Sequence, residues 1–283
     1  MSEEGSAAGA ADRIDNASRD AYRPNAPRSG MGLKADVVMA LRFFSRLPTG
    51  DAPHERPDLG RIAMALPLAS VVMGLGPILL LAGVWLGLPP FFAAALCVAA
   101  MVAVGGGMME DSLADAADGL FGGTTPQRRL EILKDSRHGT YGVAALCLFL
   151  VLRVTAIGSV AALNPLMAAG LWLAANIAGR SGALWLAVKL PPARTDGAAA
   201  AAGALPLSRF IIGTVLALLL VFVIGAPVSS LLGVIAATLA VALVVLGWTT
   251  LCRRLVGGQT GDLIGAAAGL GEVAALAVLL IFA

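Results

Sequence analysis

The residues best suited to chemistry form a short acidic run, Glu110–Gly119. Its aspartates Asp111, Asp115 and Asp118 are spaced i, i+4 and i+7. If the helix that ends near Met109 continues through this run, the three carboxylates share one helical face. Mg²⁺ takes oxygen ligands together with substrate phosphates, so the spacing predicts a face that holds Mg²⁺ on a diphosphate. The alternative is an acidic helix end that is simply solvated.

Further polar residues follow the acidic run. The mixed-charge segment Arg128–Arg137 is predicted to be a short amphipathic helix. Asp135 and His138 lie at its end, immediately before Gly139, which begins an apolar segment. This brings cations and a fourth carboxylate close to the acidic run, as phosphate binding requires. A second Gly-rich segment, Arg253–Asp262, joins two arginines to one carboxylate and is typical of a phosphate-binding turn.

The composition defines the elements that must position these residues. Of 283 residues, 58% are hydrophobic and 13% are charged, and the mean hydropathy is +0.84. A soluble domain is about 25% charged, so a single soluble globular domain is excluded. The net charge of +2 gives no reason to expect nucleic acid as a partner.

The apolar runs predict an all-α polytopic membrane helix bundle. Residues 1–33 have no apolar periodicity and are predicted to be a disordered tail, and residues 34–283 a membrane-embedded catalytic domain. Leu33–Leu47 has the pattern of an interfacial amphipathic helix. Seven segments are long enough to cross a bilayer: 63–88, 91–109, 139–162, 166–188, 209–226, 229–250 and 264–282.

The charges predict the orientation of this bundle. With the N-terminus in the cytoplasm, the cytoplasmic segments hold every Lys and Arg except Arg153, Arg180 and Arg209, the last at a cytoplasmic helix end. The acidic residues also lie there, apart from Glu272. Charges inside a membrane are usually functional, but a structural pair of Glu272 with Arg153 or with Arg180 is equally open.

Four segments, in this order along the chain, resemble the signatures of the cobalamin synthase family, the membrane adenosylcobinamide-GDP ribazoletransferases. The segments are Leu41–Pro48, Glu110–Gly123, Leu130–Gly142 and Gly257–Ala266. The resemblance extends from about residue 35 to the C-terminus. It implies the last step of nucleotide-loop assembly, in which α-ribazole or its 5′-phosphate attacks the cobinamide-linked phosphorus of adenosylcobinamide-GDP and GMP leaves.

The resemblance and the residue chemistry together define a candidate site. Asp111, Asp115 and Asp118 are predicted to hold Mg²⁺, and Asp135 or Asp118 to accept the proton of the attacking hydroxyl. The predicted substrate-binding residues are Arg46, Lys134, Arg137, Arg180, Arg253, Arg254 and Asp262. The expected location is the bacterial cytoplasmic (inner) membrane, with the site on the cytoplasmic side.

The chain departs from the family pattern at two positions. Met109 stands where the family usually has His, and Ser112 stands where it usually has Gly, which puts a mechanism based on that His in doubt. Another Mg²⁺-dependent membrane phosphotransferase, of the CDP-alcohol type, is one alternative, although Leu120 and Phe121 do not match its motif. A secondary transporter is a more distant alternative, because most charges lie on one side.

Overall fold

The computed structural model describes residues 32–50, 57–135, 137–194 and 204–283, and these are helical, as the composition predicts. The helices are α1 (Leu33–Phe44), α2 (Leu59–Leu79), α3 (Pro90–Gly105), α4 (Met108–Gly122), α5 (Pro126–Ile132), α6 (Thr140–Ala161), α7 (Pro165–Ala183), α8 (Trp185–Lys189), α9 (Leu207–Gly225), α10 (Leu231–Leu255) and α11 (Gly261–Ile281). The 3₁₀ helix Leu80–Leu86 extends α2. Except for its last two residues, the predicted tail at 1–33 lies outside the described ranges.

Side-chain caps define where several helices begin. A side-chain oxygen of the residue before the helix accepts hydrogen bonds from the first free backbone N–H groups, which have no partner within the helix. The capping residues are Asp58 for α2, Thr125 for α5, Asn164 for α7, Ser230 for α10 and Thr260 for α11. These local signals explain why the observed starts lie within a few residues of the predicted ones.

The bundle is of the multi-pass membrane type. Among the described residues, five helical segments are long and apolar enough to cross a bilayer. They are α2 with its 3₁₀ extension, α6, α9, α10 and α11. The bent pair α3–α4 makes a sixth if it is counted as one span. The remaining segment predicted from the sequence, 166–188, forms α7 and α8.

Helix α7 lies at the centre of the bundle, where it packs against α2, α6, α9, α10 and α11. Its central position explains why it carries Asn176 and Arg180, which are buried among other helices. The contact with α11 is a close backbone approach. A Cβ atom on Gly179 would lie 2.6 Å from the backbone oxygen of Ala268 and 2.6 Å from the backbone nitrogen of Glu272. Small residues permit such contacts between membrane helices.

The helix predicted over 91–109 is not continuous, because it breaks before Met109. Helix α3 ends at Gly105, and α4 begins at Met108 with its axis turned by 86°. Gly106 and Gly107 separate them with φ of +63° and +70°, values that side-chain-bearing residues rarely adopt. The acidic run therefore forms a separate helix, packed against α5, α6 and α11.

Helix α1 packs on α2, and its end positions the segment that carries Arg46. Arg61 on α2 pairs with Asp36, with 2.6 Å between Nε and Oδ1. After Phe44 the backbone N–H of Arg46 donates to the carbonyl oxygen of Val104 at 2.7 Å. The segment after α1 is thus attached to the end of α3, beside the bend.

Candidate active site

The acidic helix α4 holds two of its three aspartates close together, and the first of them lines a cavity. Asp111 has a side chain that is 64% exposed, and the side chain of Asp115, one turn later, is 14% exposed. The i, i+4 spacing brings their carboxylates to the same side, as predicted. Two negative charges so close together repel each other, and a cation between them would remove that repulsion.

His138 lies against both carboxylates. Its Nε2 is 3.9 Å from Oδ1 of Asp111, and its Nδ1 is 3.7 Å from Oδ1 of Asp115. One ligand atom from each of the three residues lies within 4.8 Å of the others, and this is the one such group among the described residues. Sequence reasoning placed His138 near the acidic run but left it out of the candidate site. Its position immediately before a membrane helix was the available signal.

Asp118 occupies a different environment from the other two aspartates. It is 7% exposed, and its carboxylate accepts hydrogen bonds from the backbone N–H groups of Gly139 at 2.6 Å and Gly142 at 2.8 Å. Those groups are at the start of α6, where a carboxylate interacts favourably with the helix dipole. Asp118 therefore ties α4 to the start of α6, one residue after His138.

The first acidic residue of the run belongs to a buried charge network. Arg153, which is fully buried, donates from Nη1 to Glu110 and from Nε to Glu272, with both N–O distances 2.8 Å. Trp172 Nε1 and Asn176 Nδ2 donate to the two carboxylate oxygens of Glu272 at 2.9 and 3.0 Å. Of the two pairs left open by the sequence, the structure forms Glu272–Arg153. The network joins α4, α6, α7 and α11.

A first cavity of about 520 Å³ opens beside the acidic group. It is lined by Arg46, Asp111 and His138, together with the backbone of the Gly106–Gly107 bend. A guanidinium, a carboxylate and an imidazole around one opening are suited to a phosphate ester with a bound cation.

A second cavity of about 500 Å³ lies between α1, α4, α7 and α11. Its polar lining residues are Arg42, Arg46, Glu110, Ser112, Arg180 and Asp262. Its apolar lining includes Phe43, Phe44, Met101, Leu184 and Ile264. Arg46 and Met108 line both cavities, so the two spaces are neighbours. Sequence reasoning missed Arg42, which is in the first family-like segment.

Arg180 is the most buried cation of this second cavity. The residue is 8% exposed, and its Nε has no hydrogen-bond partner among the described residues. Asp262 lines the same cavity and pairs with Arg194, with 3.0 Å between Oδ2 and Nη2.

The structure does not bring the segment around Asp135 into either cavity lining. Asp135 pairs with Arg137 on the exposed surface, with 2.7 Å between Oδ2 and Nη2. Hydrogen bonds from the side chain and backbone of Arg137 lower the pKa of Asp135 to about 2. A carboxylate with so low a pKa is a weak proton acceptor at neutral pH. Lys134 is likewise absent from both linings.

Arg253 and Arg254 lie at the exposed end of α10 and line neither cavity. The Gly-rich loop after them is held in place by backbone contacts. The backbone N–H of Ala193 donates to the carbonyl oxygen of Gln259 at 2.8 Å. The backbone N–H of Gln259 donates to the carbonyl oxygen of Pro191 at 2.9 Å. The loop therefore positions the start of α11, which contributes Gly261 and Asp262 to the second cavity, and Arg253 and Arg254 remain outside it.

Comparisons with known proteins agree on one family. The family model described as cobalamin-5-phosphate synthase matches residues 36–280. A protein of Azorhizobium caulinodans named adenosylcobinamide-GDP ribazoletransferase is 44% identical over 257 residues, which cover 88% of this chain and 96% of that protein. Proteins of the same name from Xanthobacter autotrophicus and Bradyrhizobium diazoefficiens are 42% and 40% identical, over 87% and 86% of this chain and 96% and 92% of their own lengths.

No solved structure matches the chain. The four family-like segments, the apolar helices and these relatives all lead to the same assignment, so the chain belongs to the cobalamin-5-phosphate synthase family.

Proposed function

We propose that this chain is a membrane transferase that joins adenosylcobinamide-GDP to α-ribazole or its 5′-phosphate and releases GMP. The observation that carries the proposal is the convergence of Asp111, Asp115 and His138 beside a cavity that Arg46 also lines. The family relationship supplies the substrates, and the geometry supplies a place for a diphosphate. Displacement at such a diphosphate needs charge neutralisation, positioning and a proton acceptor.

Asp111 and Asp115 are the residues that would hold Mg²⁺. Their donor atoms fit this ion, because carboxylate oxygens are the ligands that it prefers and the two groups lie close together beside the first cavity, which Asp111 lines. When bound, Mg²⁺ would neutralise charge on the diphosphate oxygens. Asp118 is engaged by two backbone N–H groups, so it serves the site by fixing the start of α6 and the adjacent His138.

His138 is the residue that accepts the proton of the attacking ribose hydroxyl. Arg137 lowers the pKa of Asp135 to about 2, and each oxygen of Asp118 already accepts a backbone hydrogen bond. A ring nitrogen of a neutral imidazole is a common proton acceptor in enzymes, and His138 lies against both carboxylates of the acidic group. In this step the ribose oxygen bonds to the cobinamide-linked phosphorus, the bond from phosphorus to the GMP oxygen breaks, and the proton passes to His138.

The site faces the cytoplasm in the bacterial inner membrane. The second cavity gathers the end of α7 and the starts of α4 and α11, which lie on one side of the bundle. The turns on the opposite side, at 87–89, 162–164 and 226–230, contain no Lys or Arg, whereas the sequence segments on the site's side are rich in both. The preference of cationic residues for cytoplasmic loops supports this orientation.

The test is a reconstitution. Detergent-solubilised protein is incubated with adenosylcobinamide-GDP, α-ribazole 5′-phosphate and Mg²⁺, and GMP and the corrinoid product are quantified. We expect equimolar GMP and product, and loss of both on adding chelator, with recovery when Mg²⁺ is restored. The matched control is Glu131→Gln, an exposed carboxylate on α5 whose loss should leave turnover unchanged. Turnover unaffected by chelator would refute the metal assignment, and absence of GMP release would refute the activity.

A further inference from the structure

The second cavity has features of a binding site of its own. We infer that it is the acceptor subsite, in which a nucleoside monophosphate with an apolar aromatic base binds its phosphate at Arg180. This inference rests on the proposed function and names which substrate occupies which space. The first argument is the state of Arg180, a buried cation that lines the cavity and makes no hydrogen bond or ion pair with the other described residues. A buried guanidinium without such partners is costly, and a phosphate in the cavity would supply them.

The second argument is the charge balance of the lining. Three arginines, Arg42, Arg46 and Arg180, line the cavity with two carboxylates. Asp262 pairs with Arg194, and Glu110 shares Arg153 with Glu272, so one negative charge of that network is left for Arg180 to offset. Arg46 has no carboxylate partner among the described residues, and the lining therefore still favours an anion.

The third argument is the apolar wall, which Phe43, Met101, Leu184 and Ile264 help to form. The base of α-ribazole is a dimethylbenzimidazole, which carries methyl groups and no exocyclic donor, so it suits such a wall. Guanine carries donors and acceptors on its edge, and selective binding of guanine requires matching polar partners. The wall thus favours the acceptor over the nucleotide half of the donor.

The fourth argument is size and position. A volume of about 500 Å³ is in the range of small-molecule sites. Because Arg46 and Met108 line both cavities, a ribose held in the second one is next to the acidic group in the first. Proximity of this kind is what transfer between two bound substrates requires.

The experiment compares two acceptors, α-ribazole 5′-phosphate and α-ribazole, in the wild type, Arg180→Gln and Arg180→Lys. We expect Arg180→Gln to lower kcat/KM for the phosphorylated acceptor by about 10- to 100-fold, the effect of losing one charge-assisted hydrogen bond, mainly through KM. The value for α-ribazole should change by less than about threefold, and Arg180→Lys should recover part of the loss. Arg128→Gln, an exposed arginine outside both cavities, is the matched control.

A second variant protects the test against misfolding of Arg180→Gln. Met101→Trp fills the apolar part of the cavity and should raise KM for both acceptors while leaving KM for adenosylcobinamide-GDP unchanged. An equal loss with both acceptors in Arg180→Gln, or a raised KM for adenosylcobinamide-GDP in either variant, would overturn the inference.

A binding measurement separates this inference from the activity itself. Thermal unfolding of the solubilised protein is followed with each acceptor and without the donor. A stabilising shift from α-ribazole 5′-phosphate that Arg180→Gln abolishes supports the subsite even if no GMP forms. Equal shifts in Arg180→Gln and the wild type would reject the subsite even if the enzyme is active.

Discussion

Glu110 and Asp111 are consecutive residues on α4, and their carboxylates lie in opposite environments. Glu110 is 8% exposed and accepts a hydrogen bond from Arg153 in a network that also contains Glu272. The side chain of Asp111 is 64% exposed and lies beside Asp115 and His138 around an opening. On the buried side of the helix each charge has an oppositely charged partner within the protein. The open side holds charges whose partners must be a substrate or a cation. This difference distinguishes residues that hold the bundle together from residues that are available for catalysis.

The largest expected effect comes from the open side. Asp115→Asn should lower GMP release by at least about 10³-fold, because charge stabilisation by a bound metal is worth several kcal/mol. Removing one of two repelling carboxylates should leave the free energy of unfolding in detergent unchanged or slightly raised. Both quantities are measured on the same preparation, with Glu131→Gln beside it. A variant that keeps a tenth of the wild-type rate would contradict the assigned role.

The next effect comes from the buried side. Arg153→Met leaves Glu110 and Glu272 buried without their cation, so the free energy of unfolding should fall by about 3–5 kcal/mol. Chemical unfolding of the solubilised protein measures it. Combining Arg153→Met with Glu110→Gln and Glu272→Gln should recover part of the loss, since neither carboxyl position then carries a buried charge without its cation. Wild-type stability of Arg153→Met would show that the network does not hold the bundle together.

Asp118 is buried like Glu110 but shares a helical face with Asp115, so replacing it tests whether its role is structural or metal-binding. Asp118→Ala removes two hydrogen bonds at the start of α6 and should cost about 1–2 kcal/mol of stability, as loss of a helix cap does. GMP release should fall by about tenfold, because His138 is no longer held. The decisive readout is the Mg²⁺ concentration for half-maximal rate, expected within about threefold of wild type. A much larger requirement would restore Asp118 as a metal ligand, as the sequence predicted.

The smallest effect concerns an exposed ion pair. The distance between the guanidinium nitrogen of Arg128 and the carboxylate oxygen of Glu131 is 2.9 Å, almost the same as in the Arg153–Glu110 pair. The side chains of Arg128 and Glu131, however, are 62% and 64% exposed. Arg128→Gln should change the free energy of unfolding by less than about 1 kcal/mol, since water and salt screen exposed pairs. Loss comparable to that of Arg153→Met would mean that distance, and not burial, sets the contribution of an ion pair here.

Much of the helical plan is predictable from local sequence. Apolar runs of about 20 residues can be satisfied in lipid only as helices, and capping residues such as Asp58, Asn164 and Thr260 define their starts. The bend at Gly106–Gly107 was not predicted. The apolar run on its N-terminal side is typical of a continuous helix. Glycines are common in membrane helices and do not by themselves require a break.

The site was predicted in part, and the reason differs from residue to residue. Asp111 and Asp115 share a face because i, i+4 spacing makes this a local property of one helix. The i+7 position of Asp118 is equally local, but its partners are N–H groups 21 and 24 residues away, which no spacing on α4 reveals. The position of Arg180 inside an apolar segment indicates a functional or a paired charge, but the cavity that it lines depends on α1, α4 and α11.

The sequence by itself determined the class of this protein: a helical membrane enzyme with an aspartate-rich helix, in a family whose segments it carries in order. Composition, periodicity and motif spacing are properties of neighbouring residues, so they can be read from the sequence before the fold is known. Only the tertiary structure decided which carboxylates face the opening, that His138 joins them, and that Arg153 pairs with both Glu110 and Glu272. These outcomes depend on contacts between helices far apart in the chain. Such contacts are set by packing and by the need to partner every buried charge.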